Sequence, residues 1–193
     1  MDALKRLQQT IYSFHQLPLS EWEKFCEILL FEEYKKGDYL TRQGQPEHNL
    51  YFIITGATRN YFFKEDKEFT VAFHFAGEFV TAFYSLITGE PSVVNIEFIE
   101  DAEVIVIPYN KLLKFYETSK EGATVGRKMA EYQYAFRLKK EMELLSLTAE
   151  ERYIQLLEKN PTMVAAISVK HLSSYLGVQP ESLSRIRRQL SKN

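Results

Sequence analysis

Two short helical patterns on either side of a glycine, between Ser168 and Leu190, constrain this chain more than any other feature of its sequence. Gly177 can adopt the positive φ angle that a tight turn requires, and Pro180 suits the first turn of a helix, where a missing N–H group costs nothing. Ser173 is small enough to let two helices approach closely. Six apolar residues give each helix one apolar face: Leu172, Leu176, Val178, Leu183, Ile186 and Leu190. The segment is therefore predicted to form a helix-turn-helix.

The polar face of the second predicted helix carries charged and hydroxyl side chains. These are Glu181, Ser182, Ser184, Arg185 and Arg188, which all point away from the apolar face. Such side chains can reach base edges and phosphates when the helix lies in the major groove of DNA. The simpler alternative is a helical hairpin whose arginine face is only solvated. The turn glycine, the small serine and the C-terminal placement favour DNA binding.

Charge is distributed unevenly along the chain. The formal net charge is −2 at pH 7, yet residues 168–193 contain five lysines and arginines against one glutamate and so carry +4. Residues 1–167 must therefore carry −6. A basic segment on an acidic body fits local contact with DNA phosphates better than general binding to polyanions.

Composition excludes several classes of protein. The chain has 193 residues, of which 45% are hydrophobic and 14% aromatic, and this is enough for packed cores. Its single cysteine, Cys26, permits no internal disulfide and no iron–sulfur cluster held by several cysteines. The N-terminal segment has no hydrophobic leader, and no window approaches the roughly 20 apolar residues that cross a bilayer. We therefore expect a soluble, cytoplasmic protein that does not contact a membrane.

Short apolar runs between residues 35 and 107 predict β-strands. The runs lie around Tyr39 and at residues 50–54, 58–63, 69–75, 93–99 and 103–107, with Gly37, Gly44, Gly56 and Gly77 between or beside them. Strands joined by tight turns explain this spacing. Several short strands within about 70 residues indicate a small antiparallel barrel or roll.

Helical patterns flank the predicted strands. Residues 3–17 are amphipathic, and Ser20–Glu23 has the sequence of a capping box that would start a second helix. After the strands, residues 109–117 have a helical pattern, and Thr148–Glu151 is another capping box that starts a further helix. A domain boundary is expected just before this last box.

A long helix without proline is predicted over residues 122–147. Four apolar residues at spacings of 4, 3 and 4 form a seam along one side of it: Val125, Met129, Tyr132 and Phe136. The seam fits either a partner helix or the chain's own barrel. Because helix-turn-helix modules commonly read two half-sites about 34–36 Å apart, we expect the seam to form a homodimer.

Three glycine-containing segments carry a resemblance to a known family. They are Lys36–Gly44, Leu50–Gly56 and Gly77–Phe79. Their order, followed by the long helix and the terminal helix-turn-helix, resembles the Crp/Fnr family of transcription regulators over nearly the whole chain.

The resemblance implies an α+β fold in three parts. Residues 1–121 would form a sensor with an antiparallel β-roll of cyclic-nucleotide-binding type and flanking helices. Residues 122–147 would form the dimerisation helix, and residues 148–193 the helix-turn-helix domain. The implied partners are a second copy of the chain, double-stranded DNA with a near-palindromic site, and RNA polymerase.

The sensor departs from the family where that family binds cyclic AMP. Gly77 and Glu78 match the segment whose glutamate binds the nucleotide ribose, but Ser92, Val93 and Val94 occupy the place of the family's arginine and the two residues after it. An arginine offers a fixed positive fork to a phosphate, whereas serine offers one neutral hydroxyl and valine none. We therefore expect no cofactor and an effector other than cyclic AMP.

The resemblance also marks the residues that would line an effector pocket: Gly77, Glu78, Phe79, Ser92 and Val93. Glu78 would either contact a different ligand or have a structural role. Aromatic residues near it permit an apolar pocket, or they simply fill the barrel; these are Phe73, Phe75, Phe79, Phe83 and Tyr84.

The second helix of the helix-turn-helix matches the family pattern Glu-x-x-x-Arg. Arg185 can donate two hydrogen bonds to guanine O6 and N7, and Glu181 can accept one from cytosine N4. Ser184, placed as in the Fnr branch, would contact a neighbouring thymine or adenine. Phosphates would be bound by Ser168, Lys170, Arg187 and Arg188.

Two rival functions come from other classes. An enzyme of cupin type would hold a metal with a His-x-His pair, which the four histidines do not form, so we expect neither a metal site nor catalysis. The second rival is a sensor or protein-interaction module that has lost DNA binding, and the altered sensor segment keeps it open.

Overall fold

The computed structural model describes residues 3–65, 67–159 and 161–190. They form two compact units. The first unit holds the residues up to 60 together with 73–134, and the second holds residues 61–72 and those from 135 onward. The three-part division expected from the sequence stays a prediction.

The strands form two four-stranded sheets with the orders β1-β8-β3-β6 and β2-β7-β4-β5. Their bounds are β1 Leu30–Tyr34, β2 Tyr39–Thr41, β3 Asn49–Thr55, β4 Ala57–Lys64, β5 Lys67–Phe75, β6 Phe79–Val80, β7 Asn95–Phe98 and β8 Ala102–Pro108. In the first sheet β8 pairs antiparallel with both β1 and β3. The predicted antiparallel roll is confirmed.

Helices precede and follow the strands. Their bounds are α1 Ala3–Tyr12, α2 Leu19–Cys26, α3 Phe83–Thr88, α4 Tyr109–Thr118, α5 Lys120–Ser146, α6 Ala149–Lys159, α7 Pro161–Ala166, α8 Val169–Leu176 and α9 Pro180–Leu190. No helix among the described residues is long and apolar enough to cross a bilayer.

Alternation along the strands of the first sheet creates two apolar clusters in the first unit. Phe52 and Ile105 point to the side where α1, α2, α4 and the start of α5 pack. Ile53 and Val104, the adjacent residues, point to the opposite side, where they meet Phe98 of the second sheet. Side chains of successive strand residues face opposite ways, so this sheet is buried on both faces.

Two helix boundaries differ from the prediction. The first helix ends at Tyr12 rather than at residue 17. The second starts at Leu19, because the carbonyl of Pro18 already accepts the N–H groups of Glu21 and Trp22, and no side chain caps it. The capping box predicted at Ser20–Glu23 is therefore wrong.

The capping box at Thr148–Glu151 is confirmed. Thr148 Oγ1 accepts the N–H of Glu151 at 3.2 Å, and Glu151 Oε2 accepts both the N–H and the hydroxyl of Thr148 at 2.8 Å. These bonds satisfy backbone donors that the first turn of α6 would otherwise leave open.

Candidate nucleic-acid interface and effector site

Helix α8 and its turn are built from local side-chain and backbone contacts. The side chain of Ser168 caps α8 by accepting the N–H of His171 at 3.2 Å. Gly177 ends the helix with a φ of 69°, and the N–H of Val178 bonds the carbonyl of Ser173 at 3.0 Å. The positive φ predicted for Gly177 is confirmed, and α8 and α9 have the order and turn of a helix-turn-helix.

Four of the six predicted apolar residues are buried, and Val178 and Leu190 are half-buried. Leu172, Leu176 and Leu183 are fully buried, and Ile186 is nearly so. Ser173 is 2% exposed, as expected for a small residue where two helices approach closely. This packing fixes which face of α9 is left outside.

The outer face of α9 carries the residues predicted to read bases. Glu181, Ser184 and Arg185 are all exposed, and so is Arg188. Glu181 and Arg185 lie four residues apart, which is about one helical turn or 6 Å along the axis. Their side chains therefore leave the helix in nearly the same direction.

Arg187 has a different position from the one predicted. It is half-buried, its Nε donates to the hydroxyl of Tyr153 at 3.2 Å, and its guanidinium lies 5.7 Å from the centre of that ring. Tyr153 belongs to α6 and is 5% exposed. Arg187 thus braces α9 against α6, and the structure does not favour its assignment to a DNA phosphate.

Arg152 makes a contact that positions α8 and that the sequence did not indicate. Its Nη2 donates to the carbonyl of Leu176 at 2.7 Å and so satisfies one of the open carbonyls at the end of α8. The contact joins residues 24 positions apart. An arginine in an amphipathic helix gives no local signal of such a partner.

The Gly77–Glu78 turn of the first unit is held by its own neighbours. The N–H of Gly77 bonds the carbonyl of Ile53 at 2.7 Å, and Arg6 Nη2 donates to the carbonyl of Ala76 at 2.5 Å. Gly77 has a φ of 95°, and a Cβ there would lie 2.9 Å from Arg6 Nη2. The positive φ favours glycine at this position, and a Cβ would in addition require the Arg6 guanidinium to shift.

The carboxylate of Glu78 folds back over this turn. Glu78 Oε2 accepts the N–H of Phe75 at 3.1 Å and lies 3.7 Å from His74 Nδ1. Burial lowers the pKa of His74 to about 4, so the imidazole is neutral at pH 7 and supplies no positive charge. This geometry agrees with the structural role considered for Glu78.

The second part of the candidate effector site, Ser92 and Val93, lies in a loop in which Ser92 forms hydrogen bonds to neighbouring backbone groups. Ser92 is 2% exposed, its hydroxyl donates to the carbonyl of Val94 at 2.7 Å, and its own carbonyl accepts the N–H of Gly44 at 2.7 Å. Val93 is 57% exposed. The Ser92 hydroxyl is therefore engaged within its own loop and lacks the charge of the arginine it replaces.

The aromatic residues near the turn do not line one pocket. Phe79 packs on Phe52 with ring centres 5.0 Å apart, whereas Phe83 and Tyr84 are more than half exposed on α3. A cavity of about 20 Å³ lies among apolar side chains of the first unit, including Phe79 and Met129. It has room for about one water molecule.

Comparison with known proteins identifies the strand region. Residues 31–119 match the family model of the cyclic nucleotide-binding domain. The cyclic nucleotide-binding domain thus extends from β1 to the residue after α4 and contains the Gly77–Glu78 turn. No curated protein sequence matches the chain.

Solved structures resemble the chain beyond the cyclic nucleotide-binding domain. FixK2 from Bradyrhizobium japonicum is 25% identical, with a TM-score of 0.71 over 86% of this chain and 85% of that one. The c-di-GMP-responsive regulator CLP of Xanthomonas campestris is 19% identical, with a TM-score of 0.67 over 91% and 92%. The catabolite activator protein of Thermus thermophilus is 19% identical, with a TM-score of 0.59 over 95% and 87%. The predicted α+β fold is confirmed, and so is the resemblance to Crp/Fnr regulators, since a solved Crp/Fnr-family structure from Eubacterium rectale also matches with a TM-score of 0.67.

Proposed function

We propose that this protein is a homodimeric, sequence-specific DNA-binding regulator of transcription whose effector is not cyclic AMP. The observation that carries the proposal is the exposed row of Glu181, Ser184 and Arg185 on α9, directly after a glycine turn and a buried apolar core. In a helix-turn-helix this face enters the major groove. Such a regulator acts in the cytoplasm, where it meets DNA and RNA polymerase.

The proposed base contacts follow from donor and acceptor chemistry. Arg185 donates two hydrogen bonds to a guanine, and Glu181 accepts one from a cytosine at an adjacent base pair. Each good contact of this kind discriminates by roughly 1 to 3 kcal/mol. Ser184 contacts a neighbouring base. The expected site is near-palindromic and has a G·C pair in each half.

The proposed phosphate contacts come from both helices. Lys170 and Arg188 are exposed cations, one on α8 and the other on α9. Ser168 accepts a bond from its own helix, but its hydroxyl proton remains available for a phosphate oxygen. Arg187 is left out of this set because it braces α9 against α6.

The proposed dimer surface differs from the seam predicted on α5. Val125 is 6% exposed and belongs, with Met129 beside it, to the core of its own unit. Tyr132 contacts the ring of Phe14 at 5.6 Å. Val125 and Met129 therefore face their own chain, whereas Tyr132 is 55% exposed beside Phe14, so only part of the predicted seam is left for a partner.

Another face of α5 is better suited to a partner. Tyr134, Leu138, Met142 and Leu145 are 69%, 44%, 69% and 82% exposed. At about 100° per residue they lie within an arc of about 80° of the helix surface. We propose that this face pairs with the same face of a second copy, as expected for a two-fold symmetric dimer.

The charges at the Gly77–Glu78 turn do not suit a cyclic nucleotide, and the proposed effector is therefore of another class. A cyclic phosphate at the Gly77–Glu78 turn would lie beside a carboxylate and a neutral histidine. The Arg6 guanidinium next to the turn already donates to the carbonyls of Ile54 and Ala76, and the Ser92 hydroxyl donates within its own loop. The relative CLP, named as c-di-GMP-responsive, is an example of this fold with another ligand. Calorimetric titration with cyclic AMP is expected to give no binding in the micromolar range, and micromolar or tighter binding would overturn this part of the proposal.

Selection from a random pool of DNA duplexes tests the function itself. The purified chain is expected to enrich a two-fold symmetric sequence with half-sites one helical turn apart, about 34–36 Å. If no DNA sequence is enriched at moderate ionic strength, the proposal is overturned in favour of the alternative, a sensor or interaction module without DNA binding.

A further inference from the structure

Strand β5 of the β4–β5 hairpin contacts the first helix of the helix-turn-helix, α8, within the second unit. The N–H of Thr70 donates to Ser174 Oγ at 2.9 Å, and the hydroxyl of Ser174 donates to the carbonyl of Glu68 at 2.9 Å. One serine side chain thus uses both its acceptor and its donor on the same strand.

Strand β5 is at the edge of its sheet, next to β4. Backbone groups on the outer side of an edge strand have no neighbouring strand to pair with. Ser174 takes the place of such a neighbour for Thr70 and Glu68. The Ser174 hydroxyl therefore bonds an N–H and a carbonyl of the edge strand that water would otherwise bond.

Ser174 lies on the face of α8 that the proposed function assigns to DNA. It is one helical turn from Lys170, so both side chains leave the helix in nearly the same direction. Leu172 and Leu176 occupy the opposite, buried side. In a helix-turn-helix the first helix crosses the DNA backbone. The hairpin and the phosphates consequently compete for one face of α8.

We infer that the β4–β5 hairpin is an autoinhibitory latch, closed on α8 through Ser174 in the DNA-free protein and opened when α8 docks on DNA. This inference rests on the proposed function. Opening the latch breaks two neutral hydrogen bonds, and the free energy that this costs is subtracted from DNA binding.

The test combines one substitution with two measurements. Ser174→Ala removes both bonds and suits a helix, since alanine has the highest helix propensity. Ser173→Ala is the matched control, because the Ser173 hydroxyl bonds only the carbonyl of Lys170 in its own helix. Hydrogen exchange at the Thr70 amide, measured with and without DNA, shows whether the latch is closed. Equilibrium binding to a selected duplex shows how the latch changes the affinity for DNA.

The latch predicts that the Thr70 amide is protected in the DNA-free protein and exchanges rapidly in Ser174→Ala and in the wild-type complex with DNA. Ser174→Ala binds the duplex about five- to tenfold more tightly, and Ser173→Ala binds as the wild type does. Protection that persists on DNA, or affinity unchanged in Ser174→Ala, overturns the latch and leaves the proposed function standing. If the protein binds no duplex, both the latch and the proposed function are overturned. The exchange rate of the Thr70 amide without DNA still shows whether Thr70 and Ser174 are in contact.

Discussion

Neighbouring residues of one helix have different tasks because the helix rotates them to different sides. Arg185 and Arg187 are two positions apart on α9, which is about 200° of rotation. Arg185 is exposed, whereas Arg187 is half-buried against Tyr153. The sequence assigned both to DNA, Arg185 to a base and Arg187 to a phosphate, and the contact of Arg187 with Tyr153 of α6 was not predictable from it.

Replacing Arg185 or Arg188 by alanine is expected to change DNA binding in different ways. Arg185→Ala relaxes the base preference at one position of each half-site, because the contact to guanine is lost. Arg188→Ala weakens binding to all sequences and lowers the slope of log affinity against log salt by about one unit. Binding curves for matched and mismatched duplexes at several salt concentrations check this. Equal effects of both substitutions on every sequence would contradict the assignment.

Arg187→Ala is expected to lower stability rather than base preference. The substitution removes the bond to the Tyr153 hydroxyl and the contact with its ring, and we expect a loss of about 1 kcal/mol in the free energy of unfolding. Urea unfolding measures the loss, and Gln189→Ala, an exposed neighbour on α9, is the control. A stable Arg187→Ala variant with a reduced salt slope would return Arg187 to the phosphate contacts.

Elements with strong local signals were predictable, and contacts between distant elements were not. Gly177 and Pro180 mark the turn between α8 and α9 within a few residues. The role of the seam on α5 stays a prediction, because periodicity detects an apolar face but not whether the chain's own core or a partner covers it; Val125 and Met129 belong to the core of their own unit. The contact between Thr70 and Ser174 spans 104 positions and has no local signal.

The capping box of α6 predicts a pH dependence of stability. Hydrogen bonds from the N–H and the hydroxyl of Thr148 lower the pKa of Glu151 from 4.5. Stabilisation by a carboxylate of lowered pKa is present above the unfolded pKa and is lost as the pH falls through the folded pKa. Wild type should therefore exceed Glu151→Ala in unfolding free energy at neutral pH, with a gap that narrows below about pH 4. Unfolding curves from pH 3 to 7 measure it, and a gap independent of pH would refute the role of the charge.

The exposed face of α5 predicts a change of oligomeric state. Leu138→Glu places a charge in the proposed dimer surface, so we expect the dimer to dissociate at micromolar concentration. Lys139→Glu alters the charge of an exposed residue beside it but off that face, and should leave the dimer intact. Sedimentation equilibrium distinguishes the two. Dissociation of both variants alike, or of neither, would argue against this face.

On the scale of the whole molecule, the sequence indicated the order of the parts; the boundaries drawn from it stay predictions, and the identity of the effector stays open. The roll, the long helix and the terminal helices were predictable because apolar periodicity and glycine turns are local properties. The grouping of residues 61–72 with the C-terminal helices was not, since it depends on packing between distant segments. The hydrogen bond from the Ser92 hydroxyl to the carbonyl of Val94 was likewise not predictable from the sequence.

Half-site spacing tests the central claim most directly. A dimer that places two copies of α9 in the major groove needs both half-sites on one side of the duplex, about 34–36 Å apart. Equilibrium binding is measured for a selected duplex and for the same duplex with about five base pairs, half a helical turn, inserted at its centre. The account predicts that the insertion lowers affinity to that of a single half-site. Equal affinity for both duplexes, or no preference for either over random DNA, would contradict it.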